Sequence, residues 1–296
     1  MKTINSQKLQ KNCIVDIIIV TFYTGQVLFE CIDSILSLKE LNEIIIVNNG
    51  NPGDVNSNIK NKANSNKKIK LLEGHGNIGF SKACNLGAEN SSADYLLFLN
   101  PDCLVIESDT LKKFIEALNI DNGNYYKVAT CKILNKDGSI QKTCRKNIMT
   151  PLVALSESLY LYKICKRLKP MNLPVSEIDD LPTISPVEAL SGAVVFTTKK
   201  YYEEIGGFSE EYFLHVDDMD LSMRIRLKGD KIAFVKNISI IHLLSTSKTS
   251  KRFLEYQKAK GFITYIQKFF PIYKNFFCGT ILKFLIWVRY TIKILL

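Results

Sequence analysis

Three sets of polar side chains in this sequence have types and positions that suit metal binding or proton transfer. The first is Asp102, which follows the apolar run 95–99 after only two residues. A carboxylate just beyond a buried strand can hold a divalent cation against a diphosphate, because Mg²⁺ usually takes one or two carboxylates and completes its shell with phosphate and water. The alternative is an ordinary turn, since Asn, Pro and Asp are frequent turn residues for backbone reasons.

The second set is the acidic segment that contains Asp217, Asp218 and Asp220. Three carboxylates within four residues repel one another, so they need a metal ion, an arginine or a helix N-terminus to stabilise them. A carboxylate beside a like charge tends to have a raised pKa, which suits a general base. An acidic helix start with Asp217 or Asp218 as its cap explains the same residues, and the segment alone does not decide between the two.

The third candidate is His242, which follows the apolar run 238–241. It would lie, like Asp102, at the carboxyl end of a strand, where it could be a further ligand for a metal ion or a phosphate. A lone histidine is more often a hydrogen-bonded polar residue without a ligand, and we interpret His75 and His215 in that way.

A series of alternating strands and helices is expected to bring these side chains together. The run 14–20 is apolar at nearly every residue, which is typical of a strand covered on both faces. An apolar stripe at helical spacing follows and predicts a helix over about 26–38. Later strands are predicted at 43–47, 69–72, 95–99, 187–197, 232–235 and 238–241. We therefore expect an α/β fold, with a mixed, mainly parallel sheet flanked by helices and a ligand crevice at the carboxyl ends of the strands.

The composition is that of a folded globular protein, and its charge is concentrated at one end. With 296 residues, 46% of them hydrophobic and 23% charged, the chain is unlike disordered, collagen-like or polytopic membrane proteins. Residues 248–296 contain ten Lys and Arg residues against one acid, Glu255, so this tail carries +9 of the net charge of +10. The tail is also rich in aromatic residues, which favours an anionic membrane surface over nucleic acid as its partner.

The tail is predicted to form basic amphipathic helices. Lys283, Arg289 and Lys293 interrupt its apolar runs, so none reaches the roughly 20 residues that a membrane-spanning helix needs. We expect these helices to lie on the inner face of the cytoplasmic membrane. Packing of the helices against the rest of the protein explains the same pattern.

The cysteines and the N-terminal residues predict a cytoplasmic protein. The eight cysteines are scattered, without a CxxC pair or a Cys-His cluster at zinc spacing, as in a protein with reduced thiols. The apolar run 13–22 contains Asp16, and no cleavage site of small residues follows it. We therefore interpret this run as a strand and not as a secretory signal.

Seven short motifs follow one another along the chain. They are Val20-Thr-Phe22, Val47-Asn-Asn-Gly50, Asn77-Ile-Gly-Phe80 with Asn85, Leu99-Asn-Pro-Asp102, Ser191-Gly-Ala193, Gly206-Gly-Phe208 and Asp217-Asp-Met-Asp-Leu221. In this order, over about residues 14–245, they resemble the family 2 glycosyltransferases of the GT-A fold, and most closely the bacterial rhamnosyltransferase-like branch. The resemblance implies a GT-A (Rossmann-like) catalytic domain over 1–247, with nucleotide-sugar binding at about 14–105, the acceptor side at about 106–247, and a basic tail over 248–296.

The resemblance implies roles for residues on the donor side. The residues implied to contact the donor are Thr21, Asn48, Asn49, Asn77, Gly79, Asn85 and Asn100. The first three would hold the base and ribose of a nucleotide, and Asn77, Gly79 and Asn85 would shape the wall of the pocket. The family usually has Asp at position 48, so Asn48 would meet a uracil-like imide N–H without a negative charge.

The resemblance also implies a catalytic arrangement. Asp102 and His242 would bind Mg²⁺ or Mn²⁺ at the diphosphate, and Gly192 would line the acceptor cleft. Asp218 would be the general base, with Asp217 beside it. The implied reaction is a direct displacement, in which the base takes a proton from an acceptor hydroxyl while the metal neutralises the departing nucleoside diphosphate.

The resemblance therefore predicts an inverting, metal-dependent hexosyltransferase. The donor would be a nucleoside-diphosphate sugar carrying rhamnose or another hexose, and the acceptor a saccharide or lipid-linked hydroxyl in bacterial surface polysaccharide synthesis, such as that of O-antigen. One alternative is a nucleotidyltransferase, which should carry a Gly-rich loop with Lys or Arg after the first strand, and residues 21–26 lack one. The other is a non-catalytic protein that binds nucleotide sugar at a membrane surface. The sequence leaves open whether the chain forms a homo-oligomer.

Overall fold

Among the residues that the structure describes, nine strands form one sheet. The computed structural model describes residues 13–120, 125–158, 163–165, 170–244 and 249–295. The strands are β1 (Val15–Thr21), β2 (Leu41–Asn48), β3 (Ile69–Leu72), β4 (Tyr95–Leu99), β5 (Cys103–Val105), β6 (Val128–Leu134), β7 (Ile184–Val187), β8 (Val194–Thr198) and β9 (Ile232–His242). The helices are α1 (Val27–Ile35), α2 (Gly53–Ser65), α3 (Phe80–Glu89), α4 (Thr110–Leu118), α5 (Pro151–Ser158), α6 (Lys199–Glu204), α7 (Asp217–Leu227), α8 (Lys251–Phe269) and α9 (Phe276–Leu295).

The sheet is mixed, with the strand order β3-β2-β1-β4-β8-β6-β9-β5, and β7 also pairs with β9. Strands β3, β2, β1 and β4 run parallel, and β6 is parallel to β9. Strand β8 lies between β4 and β6 and runs antiparallel to both, while β5 and β7 run antiparallel to β9. The predicted mixed, mainly parallel sheet is confirmed, because β1, β2, β3, β4, β6 and β9 run in one direction and β5, β7 and β8 run in the opposite direction.

Three of the predicted strands are wrong in their bounds. The single strand predicted over 187–197 covers only the last residue of β7, then a turn at 188–193 that contains Gly192, and then most of β8. The strands predicted at 232–235 and 238–241 form one strand, β9, whose pairing with β6 shifts register between Cys131 and Lys132.

A buried carboxylate fastens the first strand to its neighbours. Asp16 is fully buried in β1. Its Oδ1 atom accepts hydrogen bonds from Asn42 Nδ2 at 2.8 Å and from the backbone N–H of Glu43 at 3.0 Å, and its Oδ2 atom accepts one from Ser91 Oγ at 2.6 Å. These bonds satisfy a charge that would otherwise be costly to bury, and they tie β1 to β2 and to the loop before β4.

The described part of the tail consists of two helices with different surroundings. On α8, Tyr265 joins a hydrophobic cluster with Met149 and Val216 of the main body. Helix α9 packs on α8, where the ring centroids of Tyr256 and Trp287 are 5.7 Å apart. No helix within the described ranges combines the length and the hydrophobicity that a bilayer crossing requires.

Two predictions from the sequence concern residues outside the described ranges. The predicted boundary between the catalytic domain and the tail falls between residues 247 and 248, and residues 245–248 are not described. The start of the predicted catalytic domain, residues 1–12, also lies outside the described residues.

Candidate active site

The predicted metal ligands Asp102 and His242 lie side by side. Asp102 is in the turn between β4 and β5, and β5 pairs with the end of β9 so that Cys103 is opposite His242. The Oδ1 atom of Asp102 is 3.2 Å from Nε2 of His242, and 9% and 12% of the two side chains are exposed. The pairing of β5 with β9 thus joins two residues from distant parts of the sequence.

Neighbouring amides fix the orientation of the His242 ring. Its Nδ1 atom lies 3.4 Å from Oε1 of Gln141, and Nε2 of Gln141 donates a 2.8 Å hydrogen bond to the carbonyl oxygen of His242. The Nδ2 atom of Asn100 lies 3.4 Å from Nε2 of the ring. These contacts fix the plane of the ring and leave Nε2 facing the carboxylate of Asp102.

This arrangement of ligand atoms suits a divalent cation. Two electron-rich atoms 3.2 Å apart repel each other unless a cation or a proton accompanies them. A carboxylate oxygen and an imidazole nitrogen are both ligands for Mn²⁺, and Mg²⁺ can use the carboxylate together with phosphate and water. Cys103 also has its sulfur within 4.8 Å of the other two ligand atoms. Burial raises the pKa of this thiol well above its ordinary value, and Asp102 raises it further. The thiol donates a 3.8 Å hydrogen bond to the carbonyl oxygen of Ala193.

Asp218, the predicted general base, is held in place by three hydrogen bonds. Its Oδ2 atom accepts one from Nζ of Lys146 at 2.7 Å and one from the backbone N–H of Gly192 at 3.2 Å. Its Oδ1 atom accepts one from the backbone N–H of Met219 at 2.9 Å. Burial alone would raise the pKa of this carboxyl, but the Lys146 ammonium and the two amides hold it below its usual range. Asp218 is therefore ionised at neutral pH.

The adjacent Asp217 has the opposite electrostatic character. Its Oδ1 atom accepts a 3.0 Å hydrogen bond from the backbone N–H of Asp218. Burial raises the pKa of Asp217 well above its usual range, and the negative charge of Asp218 raises it further. The structure therefore favours one negative charge on this pair of carboxyls, and that charge resides on Asp218.

The third acid of the segment, Asp220, belongs to a structural network at the base of α7. It is fully buried. Its Oδ1 atom is 2.6 Å from Nε of Arg224 and 2.6 Å from Oγ of Ser209. Its Oδ2 atom is 2.7 Å from Nζ of Lys268 and 3.0 Å from the hydroxyl oxygen of Tyr212. Asp220 therefore anchors the helix and is not open to a substrate.

One short segment joins the two sides of the site. Gly192 donates its N–H to Asp218, and the carbonyl of the next residue, Ala193, accepts a 3.0 Å hydrogen bond from the N–H of Asn100. Asn100 is two residues before Asp102 in the turn after β4. A Cβ on Gly192 would lie 3.3 Å from the Cβ of Asp218, so the glycine permits this close approach. Two consecutive residues thus connect the candidate base to the turn that carries the candidate metal ligand.

The predicted nucleotide contacts at the ends of β1 and β2 are hydrogen-bonded within the protein. Oγ1 of Thr21 is 3.0 Å from Oγ1 of Thr24. Asn48 accepts from Nδ2 of Asn51 at 2.8 Å and donates to Oδ1 of Asn56 at 2.7 Å. The bond to Asn56 needs an amide donor, which the aspartate usual in the resembled family does not have. The side chain of Asn48 thus organises this turn, and its contact with a nucleotide stays a prediction.

Asn49 and Asn77 shape the loop before α3. Nδ2 of Asn49 donates a 3.0 Å hydrogen bond to the carbonyl of Gly79, and Oδ1 of Asn77 accepts one of 3.1 Å from the N–H of Gly79. Gly79 has a φ of +85°, and a Cβ there would lie 2.7 Å from the carbonyl oxygen of Phe213. Oδ1 of Asn49 is buried without a hydrogen-bond partner in the described part of the chain. That oxygen suits a hydroxyl or N–H group of a ligand.

Asn85 clamps the loop that carries Gly207 and Phe208. Its Nδ2 atom donates to the carbonyl of Phe208 at 2.9 Å, and its Oδ1 atom accepts from the N–H of Phe208 at 3.0 Å and the hydroxyl of Tyr202 at 2.6 Å. A Cβ on Gly207 would lie 2.6 Å from Oδ1 of Asn85. Any contribution of Asn85 to a donor pocket is therefore made through the loop that it holds.

Sequence reasoning did not identify Lys146 or Gln141 as part of the site. Gln141 contacts His242 and Lys146 contacts Asp218, so the chain between them runs from the candidate metal ligands to the candidate base. A lysine or glutamine in a loop usually faces water, so the residue types carry no signal. Only their burial distinguishes them, because 8% of Lys146 and 4% of Gln141 are exposed.

Comparison with known proteins finds similarity over much of the chain. The model of the family described as glycosyl transferase family 2 matches residues 16–175. Low-salt glycan biosynthesis hexosyltransferase Agl10 of Haloferax volcanii is 23% identical over 244 residues, which are 80% of this chain and 70% of that protein. N-acetylglucosaminyl-diphospho-decaprenol L-rhamnosyltransferase of Mycobacterium tuberculosis is 31% identical over 61 residues, which are 21% of this chain and 20% of that protein.

A solved structure shares the fold. The crystal structure of GalNAc-T7 with UDP, GalNAc and Mn²⁺ aligns with a TM-score of 0.63 at 14% identity. The alignment covers 86% of this chain and 48% of that chain, so this chain spans about half of its length. At this identity the likeness concerns the fold alone, and it confirms the predicted GT-A fold.

Proposed function

The chain belongs to glycosyl transferase family 2, whose model matches more than half of its residues, and from this premise we propose that it is an inverting, metal-dependent hexosyltransferase. It would move rhamnose or another hexose from a nucleoside diphosphate to a hydroxyl of a saccharide or lipid-linked acceptor. The observation that carries the proposal is the link through Gly192 and Ala193 between Asp218 and the turn that contains Asp102. A base and a metal ligand that are joined in this way can act on one substrate.

Asp218 is the proposed general base. Its carboxylate is ionised, so it can accept the proton of an acceptor hydroxyl as that oxygen attacks the anomeric carbon of the donor. The new glycosidic bond forms on the face opposite the diphosphate while the bond to the diphosphate oxygen breaks, and the anomeric configuration inverts. Lys146 and Gly192 hold the carboxylate during this step through its Oδ2 atom.

Asp102 and His242 would hold Mg²⁺ or Mn²⁺. When bound, such an ion neutralises the charge that develops on the departing nucleoside diphosphate. The carboxylate oxygen and imidazole nitrogen 3.2 Å apart support this assignment, and GalNAc-T7, which shares the fold, was crystallised with Mn²⁺. Gln141 and Asn100 would keep the ring of His242 oriented for the ion.

The names of the relatives support the choice of substrate class. The Haloferax volcanii relative is named as a hexosyltransferase of glycan biosynthesis, and the Mycobacterium tuberculosis relative as an L-rhamnosyltransferase for N-acetylglucosaminyl-diphospho-decaprenol. By extension, the donor here would be a deoxythymidine- or uridine-diphosphate hexose bound beside Thr21 and Asn49. The acceptor would enter beside Gly192 and belong to bacterial surface polysaccharide synthesis, as in O-antigen assembly.

A lipid-linked acceptor is compatible with the exposed face of α9, which would lie on the anionic inner face of the cytoplasmic membrane. Phe276, Phe277 and Phe284 are exposed by 90%, 74% and 65%. Lys283 and Arg289 are exposed on the same helix. Apolar rings among the lipid headgroups with basic residues beside the phosphates are typical of helices that lie in a membrane interface.

Release of nucleoside diphosphate tests this function. The protein is incubated with a panel of nucleotide sugars, Mn²⁺ and a hydroxyl acceptor, and release that needs both metal and acceptor supports the proposal. Thermal stabilisation by a nucleotide sugar without release would instead indicate a non-catalytic binding protein. Formation of pyrophosphate from a nucleoside triphosphate and a sugar phosphate would indicate a nucleotidyltransferase.

A further inference from the structure

The turn that leads into α7 is strained. His215 and Val216 both have a left-handed backbone conformation, with φ values of +66° and +69°. This region is uncommon for residues other than glycine and is a genuine outlier for a β-branched residue such as valine. Such residues persist only where the surrounding structure over-determines them. Asp217 and Asp218 follow directly, so this turn sets the direction in which the candidate base points.

Helix α8 packs against this turn at Gly261. A Cβ on Gly261 would lie 3.0 Å from Cγ2 of Val216 and 3.6 Å from the carbonyl oxygen of His215. A glycine inside a helix lowers helix stability, and here the missing side chain lets the helix approach the strained turn. The contact therefore accounts for the glycine and for the way in which the turn is held.

The same face of α8 is fastened to the main body at two further residues. Tyr265 and Lys268 follow Gly261 at helical spacing and lie on its face of the helix. Tyr265 is fully buried, and its hydroxyl donates a 2.8 Å hydrogen bond to the carbonyl of Met149. Nζ of Lys268 lies 2.7 Å from Oδ2 of the buried Asp220, which is two residues after Asp218 in α7.

We propose that α8 is a positioning element of the active site, which holds the strained turn and the first turn of α7 so that Asp218 points at the acceptor. This inference rests on the proposed role of Asp218 as the base. Lys146 and Gly192 fix its carboxylate directly, and α8 fixes the backbone that carries it. Gly261 packs against the strained turn and Lys268 bonds to Asp220, so both act on Asp218 indirectly, as positioning residues.

Four variants of the full chain test the role of α8. Lys268→Met and Gly261→Ala disturb the two contacts, Lys268→Arg keeps the charge, and Lys260→Met alters an exposed lysine of the same helix as a matched control. In the first two variants we expect kcat to fall about 10- to 100-fold while the donor KM changes by less than about threefold, because a small displacement of a reacting group lowers kcat. Lys268→Arg should recover most of the kcat, and Lys260→Met should match the wild type.

Amide hydrogen exchange gives a readout that is independent of turnover. Lys268→Met should speed exchange in a peptide that covers Asp217 to Met219 and leave peptides from β1 and β4 unchanged. Unchanged kcat together with unchanged exchange would overturn the proposal. A uniform rise in exchange with parallel losses of kcat and donor binding would also overturn it, because that result indicates general destabilisation. If the wild-type protein transfers no sugar, the proposed function fails, and the exchange measurement still decides whether α8 holds the turn.

Discussion

The ammonium group of Lys146 lies 2.7 Å from the Oδ2 atom of Asp218, and only 10% and 12% of the two side chains are exposed. Removing two charges from water is costly, and their attraction offsets that cost only when the contact is close and further hydrogen bonds are made. Asp218 receives such bonds from Gly192 and Met219. Lys146 is therefore the residue that keeps the candidate base charged inside the protein.

Lys146→Met should shift the pH dependence of transfer. Burial raises the pKa of Asp218, and without the ammonium of Lys146 this effect is no longer offset. The pKa of Asp218 should therefore rise. The acidic limb of the kcat/KM profile should move to higher pH, as measured by release of nucleoside diphosphate. Lys146→Arg keeps the charge and should retain the limb of the wild type. An acidic limb that does not move in Lys146→Met would mean that Lys146 does not control the charge of the base.

The same pair should affect stability in a pH-dependent way. Lys146→Met leaves a buried carboxylate without its partner, which typically costs about 3–5 kcal/mol of unfolding free energy. Because the folded-state pKa of Asp218 is lowered, the pair stabilises the wild type above the unfolded pKa of aspartate, and that contribution is lost as the pH falls through the folded pKa. In urea unfolding, the difference between wild type and Lys146→Met should be largest at neutral pH and shrink on acidification. A difference that is constant with pH would contradict this account.

Gly192→Ala should impair turnover because it displaces the base. The new Cβ would lie 3.3 Å from Cβ and 3.6 Å from Oδ2 of Asp218, so Asp218 must shift. We expect kcat to fall by about tenfold or more with little change in the donor KM. Gly53→Ala is the matched control, because nothing lies within 4 Å of a Cβ at that position. Equal kcat values in the two variants would show that the contact between Gly192 and Asp218 is not needed for transfer.

The variants Asp102→Asn and His242→Ala should bind the metal ion more weakly. Each variant removes or weakens one of two protein ligands, so the Mn²⁺ concentration for half-maximal activity should rise by at least about tenfold. Cys103→Ala should leave this requirement unchanged, because the Cys103 thiol donates to the carbonyl oxygen of Ala193 and is not one of the two proposed ligands. A Mn²⁺ titration of the release assay measures all three variants. A raised requirement in Cys103→Ala alone would contradict the assignment of the ligands.

Replacing Phe276, Phe277 and Phe284 together by serine should weaken membrane binding. The three rings are exposed, so the fold should be retained while the apolar contact with lipid is lost. We expect sedimentation with vesicles that contain anionic lipid to fall by about tenfold. Binding of the wild type should also weaken with added salt, because Lys283 and Arg289 would act on the lipid charges. Unchanged sedimentation of the triple variant would contradict a membrane role for α9.

The two candidate metal ligands could be predicted from the sequence. Asp102 and His242 each follow an apolar run, and strand ends collect at the edges of a sheet where ligands bind. Their direct contact could not be predicted in the same way, because it depends on β5. This strand has three residues, which is too short to give a pattern, and its pairing with β9 brings Asp102 to His242.

The electrostatic partners of Asp218 and Asp220 depend on long-range packing and left no pattern in the sequence. Lys146 lies in a loop, where a lysine is normally solvated, and Lys268 resembles the other basic residues of the tail. The turn that contains Gly192 could not be predicted either. Residues 187–197 are mostly apolar and small, and such a run does not show where the chain turns.

The most direct measurement of the central claim is the turnover of Asp218→Asn. Release of nucleoside diphosphate in the presence of Mn²⁺ and acceptor should fall by about 10²- to 10⁴-fold, because the variant cannot accept the proton of the hydroxyl. Thermal stabilisation by the nucleotide sugar with Mn²⁺ should remain as in the wild type, since Asp102 and His242 are unchanged. Turnover close to that of the wild type, with the donor still bound, would contradict the claim.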